Sequence, residues 1–236
     1  MMTFKSLYLN VSLGEALKKA IFPDDVDFFG ISVNPTLIAA FIVSAFLIAA
    51  ALIIRYFYIP KFTVIPKKFQ IFLESAVKFF DNIARENAES KSDIIGCYIF
   101  TAALYICFGT LIELIGLRPV MSSINACLAT ALVTYFLLVY YAFRNKGVKS
   151  GLLSSIKEIT VPVSMTFRLF GSILSGFIVM ALIYHYIWLS FVVPVLLSVI
   201  FTLFHAIIQS YIFSMLSSVF IGEALERKIN TELSKE

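Results

Sequence analysis

The longest apolar stretch of the chain runs from Ile159 to Gly222 and reads ITVPVSMTFRLFGSILSGFIVMALIYHYIWLSFVVPVLLSVIFTLFHAIIQSYIFSMLSSVFIG. It contains 64 residues and one formal charge, Arg168. A membrane-spanning helix needs about 20 predominantly apolar residues. The stretch is therefore long enough for two long spans or three ordinary ones, and it places the chain in a bilayer.

Three uncharged runs precede this stretch and indicate further spans. Because strands of a membrane β-barrel alternate polar and apolar residues, such unbroken runs exclude a water-filled barrel. The whole chain is 60% hydrophobic and 14% charged, whereas charged residues make up about a quarter of a soluble domain. The sequence predicts an all-α polytopic membrane protein, with its earlier spans at about Thr36–Ile54, Ile94–Gly116 and Ser123–Phe143.

The distribution of basic residues decides how many helices the last stretch forms. With two helices there are five spans, and fourteen Lys and Arg residues lie on one side of the membrane against four on the other. This asymmetry places the N-terminus outside and the C-terminus in the cytoplasm; three helices would put the basic tail outside. Each of the two helices would be roughly 45 Å long against a hydrocarbon thickness of about 30 Å, so we expect both to be strongly tilted unless they bend at Pro162, Pro194 or Gly171.

The segment between the first two spans is too polar to cross the membrane. Its apolar residues recur at helical spacing, which favours an amphipathic helix over 66–87 lying in the membrane interface; a helix docked on a soluble partner is the alternative. We expect one membrane domain over 1–236, with an outer N-terminal segment (1–35), this interfacial helix, a tilted helix pair (151–222) and a cytoplasmic tail (223–236).

Arg168 is the residue that lipid tolerates least. An arginine at the centre of a span costs about 2.5 to 3.5 kcal/mol by insertion scales and stays charged at ordinary pH. Helical spacing puts Ser164, Ser172 and Ser175 on its face, and such small residues let another helix approach closely. A carboxylate from another subunit is an attractive partner. A structural anchor paired within the bundle is the alternative.

The last helix carries a polar stripe formed by Thr202, His205 and Gln209, which lie within about 60° of one another at 100° per residue. A histidine here is suited to relaying a proton, and a glutamine both donates and accepts hydrogen bonds. An ordinary interhelical hydrogen bond is the competing interpretation of His205.

Sequence signatures of catalysis are missing. The chain has no H-E-x-x-H, G-x-S-x-G or G-x-x-x-x-G-K-[ST] motif and no metal-ligand spacing of cysteines, and its basic residues form no stripe typical of nucleic-acid binding. We expect a conduit rather than an enzyme, with no cofactor, no metal and no nucleic-acid partner.

Two segments resemble subunit a of the F-type ATP synthase, the membrane stator of the rotary motor. Pro162–Ser172 is similar to the family's P-V-S-x-x-x-R-L-F-G-N, and Ile208–Phe220 is similar to its I-Q-A-x-[IV]-F-x-x-L-x-x-x-[YF]. Weaker similarities lie at Ile65–Glu74 and Ser123–Leu128, where the family often has D-[LV]-N-x-T-L.

The resemblance implies a mechanism. In this family two long tilted helices curve along a ring of c subunits, and two offset half-channels connect the ring's carboxylates to opposite sides of the membrane. The family's arginine corresponds to Arg168 and its glutamine to Gln209. A permanent cation between the half-channels favours the ionised ring carboxylate and blocks a direct leak. The implied partners are the c-ring, the peripheral stalk b subunits and the bilayer.

The chain departs from the family at several half-channel positions. The family's usual asparagine is Ser172, its Glu or His nine positions after the arginine is Phe177, its Glu or His seven before the glutamine is Thr202, and an upstream acid is Ser154. Asn125 follows the pattern, although the aspartate two before it is replaced by serine. The familiar relay therefore does not carry over residue by residue.

Three titratable residues near the replaced positions are candidate substitutes. His205 would serve the outer half-channel, Glu113 its entrance and Glu158 the inner half-channel. A path lined mainly by hydroxyl groups and water is the competing hypothesis. The candidate ion-translocation residues are Arg168, Gln209, His205, Glu158, Glu113, Asn125, Ser172 and Thr202.

The resemblance implies ion translocation, most simply of protons, coupled to ATP synthesis, by a subunit without a catalytic site of its own. An autonomous secondary transporter that binds an anionic solute at Arg168 is the main alternative, and a membrane scaffold is another. The form of the motifs favours a bacterial plasma membrane over the mitochondrial inner membrane. The choice between H⁺ and Na⁺ stays open.

Overall fold

A computed structural model describes residues 26–28, 31–62, 68–87, 92–185 and 193–226. These residues form six α-helices, several short π- and 3₁₀-helical turns and one two-stranded antiparallel sheet, in which β1 pairs with β2. The bounds are β1 (Val26–Phe28), β2 (Ile31–Val33), α1 (Pro35–Ile53), α2 (Lys68–Asn87), α3 (Ser92–Leu111), α4 (Ile124–Lys157), α5 (Thr160–His185) and α6 (Val193–Glu226).

Five segments of the described residues are long and apolar enough to cross a membrane. They confirm the predicted number of spans and a helical polytopic fold, and the last stretch forms two long helices rather than three. The small sheet was not predicted, because its two strands have only three residues each. The spans are Pro35–Lys61, Ile94–Ile115, Ile124–Arg144, Thr160–Met180 and Val195–Leu225.

The first helix begins as its sequence dictates. The Asn34 side chain accepts hydrogen bonds from the Thr36 amide (3.0 Å) and the Thr36 hydroxyl (2.7 Å), and Pro35 occupies the first helical position, where no amide hydrogen is needed. Beyond Ile53 the helix continues through a π-helical turn, Ile54–Tyr58. The predicted outer segment 1–35 falls largely outside the described residues.

The amphipathic helix α2 packs against α3 and α6. Two glycines allow the close approach: a Cβ on Gly96 would lie 2.9 Å from Oδ1 of Asp81, and one on Gly222 would collide with the carbonyl oxygen of Asn87. The Ser218 hydroxyl adds a 2.7 Å hydrogen bond to the backbone of α2. The described helix begins at Lys68, and its C-terminal half is fixed to the bundle.

The chain folds back on itself within α4. The Tyr135 hydroxyl donates to the carbonyl oxygen of Ser155 at 3.0 Å, and a Cβ on Gly151 would lie 3.0 Å from Cα of Phe143. Eight residues of straight helix would separate the latter pair by about 12 Å, so the helix axis reverses between Phe143 and Gly151. The third span therefore ends near the predicted residue, although helical structure continues to Lys157.

The long helices α5 and α6 have 26 and 34 residues. Pro162 lies in the first turn of α5, where proline removes no internal hydrogen bond. The position of Pro162 therefore gives no reason for a bend in α5 at this residue. The described part of α6 extends to Glu226, so the tail predicted from residue 223 begins inside the helix.

A stripe of small side chains lets α6 sit at the centre of the bundle. The members of the stripe recur every four residues and are buried. Helix α6 makes its most extensive contact with α3. Small residues at this spacing allow close helix packing in lipid, where no hydrophobic force draws helices together. The stripe consists of Ala206, Ser210, Ser214, Ser218 and Gly222.

Candidate functional site

A cavity of about 360 Å³ lies between α5 and α6. Helix α5 contributes residues from Ser172 onward, α6 contributes residues up to Gln209, and Glu113 reaches the cavity from the turn that follows α3. Seven polar side chains line a space otherwise walled by apolar residues: Glu113, Ser172, Ser175, Ser198, Thr202, His205 and Gln209.

The α6 wall of the cavity is one helical face. Ser198, Thr202, His205 and Gln209 follow one another at spacings of four, three and four residues, which places them above one another on a helix. Thr202 and Gln209 are buried, and His205 is half-buried. The predicted stripe of three is confirmed as a shared face, and Ser198 extends it by one turn.

Glu113 is held at the cavity by a short turn and a hydrogen bond. Helix α3 tightens into the 3₁₀ turn Ile112–Ile115, which ends at Gly116 with a left-handed φ of 88°. Glycine adopts this conformation without steric cost. The Thr202 hydroxyl donates to Oε2 of Glu113 at 3.3 Å, so a carboxyl group from the second span meets the polar face of the last helix.

Ser172 and His205 connect the two walls. Oγ of Ser172 lies 3.2 Å from Nε2 of His205. The same hydroxyl lies 2.9 Å from the carbonyl oxygen of Leu169, one turn back in α5. Together with the pair of Glu113 and Thr202, this contact gives the cavity two hydrogen-bonded pairs, each with one titratable member.

Arg168 does not line the cavity but lies one turn before Ser172 on α5. It is exposed, as are Ser164, Gly171 and Ser175 on the same face. A Cβ on Gly171 would meet no atom within 4 Å. Within the described residues Arg168 forms no ion pair, so this face presents an arginine surrounded by small residues and open space.

Two predicted site residues lie away from the cavity. Glu158 is buried at the junction of α4 and α5, two residues before the start of α5, and the helix rises about 18 Å from Thr160 to Ser172. Asn125 is exposed in the first turn of α4. The structure therefore brings together five of the eight predicted residues around one cavity: Glu113, Ser172, Thr202, His205 and Gln209.

The sequence did not lead us to name Ser198 as a site residue, and it did not predict which site residues Phe177 would lie beside. The helical spacing from Thr202 back to Ser198 was a usable signal. Phe177 lines the cavity beside the polar residues, and its relation to Glu113 depends on the tertiary fold. In the part of the chain that the structure describes, no three His, Cys, Asp or Glu side chains are grouped as a metal site would require.

Comparison with known proteins gives the family. Residues 37–222 match the family described as ATP synthase A chain. The chain belongs to this family. The match contains both resemblance motifs and every residue that lines the cavity, and the predicted resemblance to F-type ATP synthase subunit a is thereby confirmed.

Relatives named as ATP synthase subunit a come from several bacteria. The "ATP synthase subunit a 2" of Vibrio campbellii is 29% identical over 203 residues, which cover 69% of this chain and 77% of that protein. The subunit a of Anaeromyxobacter dehalogenans is 31% identical over 240 residues, covering 86% of this chain and 61% of that protein. That of Shewanella amazonensis is 26% identical over 205 residues, covering 70% and 78%.

Family membership places the chain in the membrane sector, Fo, of an ATP synthase, with a role in ATP synthesis and ion transport. The bacterial relatives and the five apolar helices indicate a multi-pass bacterial membrane protein. The mitochondrial alternative gains no support from these relatives.

Proposed function

We propose that this chain conducts protons through two half-channels at an interface with a c-ring, and so couples the proton gradient to ATP synthesis. One observation carries the proposal: a cavity with two titratable side chains lies one helical turn from an exposed intramembrane arginine. An ordinary helix bundle has no reason to bring these features together, because each is costly in lipid.

The exposed face of Arg168 is the proposed ring contact. A guanidinium facing hydrocarbon is unfavourable, so this face needs water or a carboxylate to cover it. The small residues Ser164, Gly171 and Ser175 leave room for another helix to approach. A ring carboxylate passing Arg168 would be stabilised in its ionised form, which makes it release its proton and prevents a leak between the half-channels.

The cavity is the proposed outer half-channel. Phe177 and Thr202 occupy positions where the resemblance leads one to expect titratable residues, and both line this cavity. Glu113 and His205, which are titratable, line it too. Titratable residues are thus missing at two positions of this cavity and present at two others. This exchange supports the hypothesis that Glu113 and His205 replace the usual proton-carrying groups.

The inner half-channel is proposed to involve Glu158. Glu158 precedes α5, which rises about 18 Å from Thr160 to Ser172, and this separation suits a group that serves the opposite side of the membrane. Asn125, in the first turn of α4, is proposed to lie near the outer end, because α4 begins where α3 and its turn end.

The remaining features follow from the proposed orientation, with the N-terminus outside and the C-terminus in the cytoplasm. Helices of about 39 and 51 Å exceed a hydrocarbon core of about 30 Å, so α5 and α6 are proposed to tilt along the ring. The 151–222 segment would form the ring-facing pair, α2 would lie at the cytoplasmic interface, and the b subunits would bind the same chain. ATP chemistry would reside in other subunits.

Isolation of the complex tests the assignment. The chain, carrying a small affinity tag, is purified from its native bacterial membrane in mild detergent. We expect the c-ring, the peripheral stalk and a soluble ATPase head to co-purify with it. Isolation of the intact chain alone, with solute transport in vesicles, would overturn the proposal and favour the autonomous transporter.

A further inference from the structure

The hydrogen bonds around Ser172 favour one position for the hydrogen on the ring of His205. A serine hydroxyl has one hydrogen, and a carbonyl oxygen can only accept. The distance of 2.9 Å between the Ser172 hydroxyl and the Leu169 carbonyl oxygen therefore directs that hydrogen along α5. The hydroxyl oxygen is then left to accept from Nε2 of His205 at 3.2 Å, an arrangement that requires a hydrogen on Nε2.

We propose that Ser172 is a positioning residue that holds the neutral ring of His205 in its Nε2–H tautomer and leaves Nδ1 as the atom that takes up a proton from the cavity. A neutral imidazole has one N–H and one basic nitrogen, and the hydrogen bond made by one nitrogen selects the role of the other. This inference rests on the proposed function, because it names the atom at which the outer half-channel would hold its proton.

The proposed transfer accounts for every proton, and it needs no movement of α5 or α6. A hydronium ion in the cavity gives its proton to the Nδ1 lone pair and leaves water, and the ring becomes an imidazolium with both nitrogens protonated. The Nε2–H bond to Ser172 persists in both charge states. Release of the Nδ1 proton to the next acceptor restores the starting tautomer, so α5 and α6 stay connected throughout.

The opposite tautomer would break a contact that the structure contains. If Nδ1 carried the hydrogen, Nε2 would have to accept from Ser172, and the hydroxyl hydrogen would leave the Leu169 carbonyl.

Among the described residues, Glu113 is the other titratable side chain that lines the cavity. It is paired with Thr202, and Ser198 and Gln209, which also line the cavity, are neutral.

The chain offers a direct measurement because it has only two histidines. His185→Gln leaves His205 as the single histidine of the chain. The full-length protein, labelled with [¹⁵N]histidine and reconstituted in lipid bilayers, is studied by solid-state NMR at a pH where the ring is neutral. The two nitrogens give distinct signals when protonated and unprotonated, so the spectrum reports the tautomer populations.

We expect the Nε2–H tautomer to dominate. In Ser172→Ala the share of the Nδ1–H form should rise about fivefold, the change expected when a hydrogen bond worth about 1 kcal/mol is lost. Ser172→Thr, which keeps a hydroxyl, should retain the original populations. A dominant Nδ1–H form in the parent protein, or an unchanged spectrum in Ser172→Ala, would overturn the role of Ser172.

The inference about Ser172 and the proposed function can each be disproved without disproving the other. The tautomer is read from the ring itself and does not depend on coupled ATP synthesis. An Nδ1–H ring would remove the inference about Ser172 and leave the half-channel proposal standing. Normal ATP synthesis in an Arg168 variant would remove the proposed function, whatever the tautomer of His205.

Discussion

The hydroxyl of Thr202 donates a 3.3 Å hydrogen bond to the carboxyl group of Glu113, two residues that are 89 positions apart in the chain. The contact joins the last helix to the turn that ends the second span. It brings a carboxyl group onto the polar face of α6, where the cavity also holds His205 and Gln209. A titratable group thus reaches the cavity from the turn after α3, outside the α5–α6 pair.

Glu113→Gln tests whether this carboxyl group carries protons. The amide keeps the shape and accepts from Thr202 but cannot exchange a proton, so proton-driven ATP synthesis in reconstituted vesicles should fall by about 10²-fold, the scale of a lost general acid or base. Thr202→Val, which keeps the carboxyl group and removes one hydrogen bond, should cost only about fivefold. Equal rates in Glu113→Gln and the parent enzyme would contradict the role of Glu113.

His205→Ala tests the second titratable group. Removing the ring leaves a half-channel without its imidazole, and we expect ATP synthesis to fall at least tenfold with the assembled complex intact. Leu203→Ala is the control, because Leu203 is exposed on α6 and is not among the residues that line the cavity. Near-normal synthesis in His205→Ala would remove His205 from the proton path.

Phe177→Glu in the His205→Ala background tests whether a titratable group at position 177 can replace the one lost at position 205. Phe177 lines the same cavity as His205, so a carboxyl group placed there should restore a measurable part of the lost ATP synthesis. The matched variant Phe177→Gln, which is similar in size but cannot exchange a proton, should restore nothing. Equal rates in the two double variants would show that the cavity does not depend on a titratable group at this site.

Gly222→Ala tests the packing of α2 on the bundle. The added methyl group would collide with the carbonyl oxygen of Asn87, and overpacking of this kind costs about 1 to 3 kcal/mol. We expect a lower thermal unfolding temperature of the detergent-solubilised chain. Gly171→Ala, where the methyl group meets no atom within 4 Å, should leave that temperature unchanged, and an equal loss in both variants would contradict the packing.

The spans were predictable because hydrophobic length acts locally. An apolar run of about 20 residues has few alternatives to a membrane helix, and the charge asymmetry was enough to choose two final helices over three. The polar face of α6 followed from the same local geometry, since Thr202, His205 and Gln209 share one side of any helix. Pro162, by contrast, suggested a bend, although the first turn of a helix accommodates proline without one.

Contacts between distant segments could not be predicted. The sequence marks Glu113 as an acid beside a span, but nothing local indicates that the 3₁₀ turn before Gly116 directs it to Thr202. The sequence around Gly96 and Gly222 does not indicate that these glycines pack against α2. Glu158 was predicted from its position in the sequence to serve the inner half-channel, and the structure places it at the junction of α4 and α5, apart from the residues that line the cavity.

Arg168→Ala in the intact ATP synthase, reconstituted in vesicles, tests the central claim most directly. Arg144→Ala is the matched control, because Arg144 is an exposed arginine whose described contact is a hydrogen bond to the Tyr140 hydroxyl. The account predicts that proton-driven ATP synthesis is abolished in Arg168→Ala, with the subunit still inserted and assembled, and is close to normal in Arg144→Ala. Synthesis at the parent rate in Arg168→Ala would contradict it.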